Sequence, residues 1–184
     1  MPLGLDTHSD WRWLAGTHWY VTEGDLPALQ LAADGSTLAW LVDQTVWRIT
    51  GFQGGYFWGV TAVVLRDADA DEGRLAARRG PRIGHRTMIG TVTPSGQVQI
   101  TFTPTGRSPL EPTVGFGQMV KQGAVWAFEM QMSTDRLQSR VLHWANMVQT
   151  RPGEPSWERL PGLDLSVPEM LEGAAPPRFA DPAD

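Results

Sequence analysis

Cysteine is absent from this 184-residue chain. That excludes disulfides and thiolate metal sites. Lysine is almost absent: Lys121 is the only one, and arginine carries the remaining basic charge, which reads as codon bias. Net charge is −5, so the basic face that non-specific nucleic-acid binding needs is missing. No apolar run approaches the roughly 20 residues of a membrane helix, so no membrane role is expected. Met1 to Asp10 carries neither a basic nor an apolar leader segment. The expected location is therefore cytoplasmic. His8, His18, His85 and His143 are too scattered for a metal motif. A dinucleotide fingerprint, a Walker loop and a nucleophile elbow are also missing. No metal or cofactor is expected.

Tryptophan is what the chain has in excess. Six of its nine (Trp19, Trp40, Trp47, Trp58, Trp126, Trp144) fall in short runs that read as β-strands. Strands are predicted at 17–22, 29–33, 37–50, 56–66, 86–93, 97–103, 114–121, 124–133 and 139–150, mostly as hairpins with glycine-bearing turns. Residues 97–103 show the cleanest alternation, with Val98, Ile100 and Phe102 on one face. Several other runs are apolar on both faces. Residues 67–84 read as a mobile loop, with a short helix at 71–78. Ser9 or Asp10 can cap a helical turn at the start, and Ser166 another at 167–171. The fold class this predicts is all-β: an antiparallel up-and-down barrel of about eight strands, closed so that no edge remains. One domain is expected over 1–173, with a disordered, proline-bearing tail over 174–184. A barrel of that size has room for one small ligand, and the indoles would line it.

The segment Trp13-Leu14-Ala15-Gly16-Thr17-His18-Trp19-Tyr20-Val21 resembles the opening of lipocalins and related calycins, where a short helical turn runs into a strand marked Gly-x-Trp. Here His18 is an extra residue between glycine and tryptophan, which turns Trp19 toward the face opposite to the family's tryptophan. Ser133-Thr134-Asp135 is similar to the family's Thr-Asp turn, and the resemblance gives Arg151 the part of the arginine that packs over the tryptophan. The resemblance covers about a tenth of the chain and implies a ligand-holding barrel. Avidin-like barrels, fatty-acid-binding-like barrels and a Trp-rich sandwich remain alternatives.

Four ionisable residues sit mid-strand among apolar neighbours: Asp43, Arg48, Glu129 and His143. An inward carboxylate would need a partner. Glu129 and Arg48 lean toward the solvent face, while Asp43 and His143 stand evenly between the two. Tyr20, Trp47, Trp58, Trp126 and Trp144, with Arg48 on a polar group, are the candidate ligand-binding residues. The first functional expectation is binding of a small hydrophobic or aromatic molecule in the interior. The alternative is a cofactor-independent isomerase, cyclase, hydratase or decarboxylase using Asp43, His143 and Glu129. A third is a partner-binding module with exposed aromatics, and a homodimer is open. Sugar stacking on an exposed tryptophan is a further option, although no cluster of Asp, Asn and Gln accompanies one.

Overall fold

The computed structural model describes residues 6–68, 82–105, 112–136 and 139–179. A 3-10 helix at Asp6–Leu14 precedes nine antiparallel strands. These are β1 (His18–Val21), β2 (Leu26–Ala32), β3 (Leu38–Gln53), β4 (Tyr56–Asp67), β5 (Gly84–Val92), β6 (Gln97–Pro104), β7 (Thr113–Gln122), β8 (Val125–Arg136) and β9 (Ser139–Thr150). Two short helices follow, α1 (Pro155–Glu158) and α2 (Val167–Leu171). The central part of the loop expected over 67–84, including its helix, lies outside the described residues.

The strands close into an eight-stranded barrel. Its seam explains how nine strands make eight positions. β1 and β2 each pair with both β3 and β9. They form one interrupted stave, broken at residues 22–25, because neither is long enough to span the neighbouring strands. Consecutive strands pair from β2 through β9, so the chain meanders without crossovers.

Alternation decides what faces in. Asp43, Thr45, Trp47 and Ile49 of β3 are buried on the inner face, with Phe57 and Thr61 of β4. Much of the interior is solid. Trp19, Trp47 and Phe57 gather around Phe128, with ring centroids 4.6, 5.4 and 6.3 Å from it. Met88, Ile100, Met130 and Met147 belong to the same cluster. The expectation of a hollow along the barrel is thus corrected: among the described residues bulky rings and methionines meet across the axis, and a small cavity lies toward one end. Gly115 and Gly117 of β7 make room for this filling. A Cβ on Gly117 would collide with the Glu129 carbonyl and meet the Met130 sulfur at 2.6 Å.

The 3-10 helix closes the other end. Trp11 donates its indole N–H to the Thr93 carbonyl at 2.9 Å and meets Trp126 edge-on at 5.1 Å. Trp13 lies 6.0 Å from Trp19. Trp19 itself is fully buried inside the barrel, its N–H given to Thr17 Oγ1 at 2.7 Å. Arg151 is exposed and its guanidinium reaches Gln149, so Trp13 takes the covering part that the resemblance gave to the arginine.

A second cluster lies outside the barrel. Val46, Ala62 and Val64 point outward from β3 and β4, and Leu160, Leu163, Val167 and Met170 of the C-terminal segment cover them. Gln44 ties this layer on, donating to the Val21 carbonyl at 3.3 Å and the Pro161 carbonyl at 2.8 Å. Ser166 caps α2 as expected, in a reciprocal capping box with Glu169. Beyond it, residues 174–179 carry no regular secondary structure, and Phe179 packs edge-on against Trp58 at 5.0 Å.

This outer layer also sets an acid sensitivity. His18 stands edge-on to Trp157 at 4.8 Å and is half-buried. Burial, aided by the nearby Arg48 charge, holds its pKa below the ordinary 6.5. Between the folded-state value and 6.5 the unfolded chain binds more protons, so stability falls on acidification through that window and levels off above it. A series of thermal melts against pH should show this slope in the wild type and a flatter one in His18→Gln.

Candidate functional site

The void lies near the end of the barrel from which the β4–β5, β6–β7 and β8–β9 connections spring. Its volume is about 40 Å³. That is room for about three water molecules. Six lining residues are apolar: Trp47, Val63, Leu65, Phe102, Met132 and Val141. The other six are Thr45, Thr61, Arg86, Thr113, Thr134 and His143. An apolar slot with that much polar lining is not simple core.

Two polar groups organise it. On one side Asp43, fully buried on β3, places Oδ2 2.9 Å from Nδ1 of His143 on β9. Their distance is that of an ion pair, but the ring and carboxylate are out of line, so neither atom completes a hydrogen bond. Asp43 Oδ1 accepts from Thr45 Oγ1 at 3.0 Å, which fixes the carboxylate. On the other side Arg86 of β5 donates to Thr113 Oγ1, which lies 2.6 Å from Thr134 Oγ1. This links β5, β7 and β8 across the wall. A third feature is an unmet donor. Trp47 Nε1 is buried without a hydrogen-bond partner in the cavity wall. A buried N–H left unpaired costs on the order of 1–3 kcal/mol, so such a group marks a place for an acceptor.

Among the residues singled out from sequence, Asp43, His143 and Trp47 come together here. Trp126 also points inward but packs at the closed end, against Trp11. Arg48, Glu129 and Trp144 are exposed on the outer wall. Tyr20 packs under the C-terminal layer, and Trp58 lies outside under Phe179. None of these five lines the interior, because each has the opposite strand parity to the inward set. Arg86, Thr113 and Thr134 were missed. Thr113 is a common strand residue with no local signature, Thr134 reads as part of a turn-like Ser133-Thr134-Asp135 segment that instead lies in β8, and Arg86 stands at the edge of a polar loop.

No family profile, curated protein or solved structure matches this chain. The closed eight-stranded antiparallel barrel fits a calycin-like fold. Among the described residues no three His, Asp or Glu side chains gather as a metal site would require. No helix among them is long and apolar enough to cross a membrane.

Proposed function

We propose that this is a lipocalin-like binding protein whose barrel end takes a small, partly apolar molecule presenting a hydrogen-bond acceptor. The observation that carries the reading is the buried, unpartnered Trp47 N–H in the wall of the cavity. A carbonyl or carboxylate oxygen placed there would complete it, with Phe102, Met132 and Val141 against the apolar part. The cavity volume of about 40 Å³ limits what enters to a small molecule or the polar head of a longer one.

The test is direct. Native mass spectrometry of the purified protein looks for a retained ligand, and a panel of short aliphatic and aromatic carboxylates and ketones is titrated calorimetrically. Trp47→Phe keeps an aromatic ring and removes the donor, so affinity should fall about ten-fold in protein that a melt shows to be folded; the lost indole volume also lowers the melting temperature, because Trp47 is fully buried. Equal affinities in the two proteins, or no binding by either, would sink the reading.

A second reading, catalysis on the same scaffold, has one observation in its favour: His143 lies in the cavity wall, 2.9 Å from the buried Asp43 carboxylate. In that reading His143, beside a carboxylate that Thr45 holds, moves a proton on a bound carbonyl compound. His143→Gln would then retain binding and lose turnover.

A further inference from the structure

The outer wall of β6–β9 assembles what the linear sequence scatters. Gln97, Gln118, Glu129 and Asn146 are consecutive cross-strand partners and form one row across four strands. Strand parity turns all four outward, and the first three are exposed. Gln118 Nε2 lies 3.5 Å from Glu129 Oε2, and Gln122 Nε2 donates to Asn146 Oδ1 at 3.2 Å. The adjacent row runs Phe116, Gln131, Trp144. Phe116 and Trp144 are 56% and 50% exposed, far more than rings of that size need to be. Together these side chains line an open groove of about 680 Å³, with Glu23 at its border.

The chemistry of this face is specific. It is not a plain apolar patch, because amides fill the space around and between the rings. It is not an ionic surface, because among the described residues the carboxylates of Glu23 and Glu129 are the charged groups lining the groove. Side-chain amides offer a donor and an acceptor side by side, which suits vicinal hydroxyls. Exposed rings offer flat apolar faces for the C–H side of a cyclic ligand. Phe116 and Trp144 are two strand spacings apart, about 10 Å, with Gln131 between them. That span matches about two pyranose rings of an extended chain lying across the strands.

We propose that this groove binds a neutral, extended β-1,4-linked oligosaccharide, with Phe116 and Trp144 as stacking platforms and the Gln97–Asn146 row as hydroxyl partners. The site is independent of the barrel interior, since its side chains have the opposite parity.

Cellohexaose, titrated into the full chain with tryptophan fluorescence and calorimetry as readouts, is the test. Saturable binding is expected. Trp144→Ala and Phe116→Ala should each weaken it by about ten-fold or more, with unchanged melting temperatures because both rings are exposed. Three results would overturn the proposal: no saturable binding, binding indifferent to both ring substitutions, or a wild-type dimer in sedimentation that Trp144→Ala converts to monomer. The last would identify the face as a contact between copies of this chain.

Discussion

Replacing His143 by alanine is expected to lower the unfolding free energy by about 1–3 kcal/mol, the range for leaving a buried polar group without its neighbour. Asp43 is fully buried and His143 is the basic group within ion-pair distance of it, at 2.9 Å. Thr45 keeps one carboxylate oxygen bonded, but the other is left in the barrel wall with nothing. The double variant Asp43→Asn/His143→Ala removes the stranded carboxylate and should recover at least half of the loss. Urea denaturation of the two single variants and the double variant measures the coupling directly. A loss under about 1 kcal/mol in His143→Ala would show that the carboxylate does not depend on the ring, contrary to the buried-pair argument.

Trp19→Ala should cost about 3–5 kcal/mol, the range for a large aromatic truncated in a core that cannot collapse. The indole is fully buried, meets Phe128 at 4.6 Å and Trp13 at 6.0 Å, and donates to Thr17. Its loss would open a void where the 3-10 helix seals the barrel. Trp144→Ala is the control. Half of that ring is in solvent, so its removal should change stability by no more than about 0.5 kcal/mol. Thermal and chemical melts of both variants test the assignment of inside and outside. Similar effects at the two positions would contradict the described strand parity.

Those two tryptophans show where sequence reasoning succeeds and where it stops. Both lie in runs of β-forming residues, and both strands were legible from the chain. The hairpins at Gly54-Gly55, Ser95-Gly96 and Gln122-Gly123 were legible too, because positive φ at glycine is a local demand and all four of these glycines meet it. The two early strands at 17–22 and 29–33 were also read from local pattern. Their merger into one stave was not, since it depends on β3 and β9 being long enough to pair with both. The site divides the same way. Asp43 and His143 stood out as ionisable residues among apolar ones, yet they are a hundred residues apart in the chain and only barrel closure sets them side by side. The same closure gathers the Gln97–Asn146 row from four strands.

Alternation by itself determined that this chain makes antiparallel strands, where they turn, and which residues share a face. Only the tertiary structure decided which face is interior. The reason is visible on β3 and β4, where the inner face packs into the barrel and the outer face is covered by the C-terminal segment. Both faces are therefore apolar, and a period of two cannot tell a core beneath a sheet from a layer laid over it.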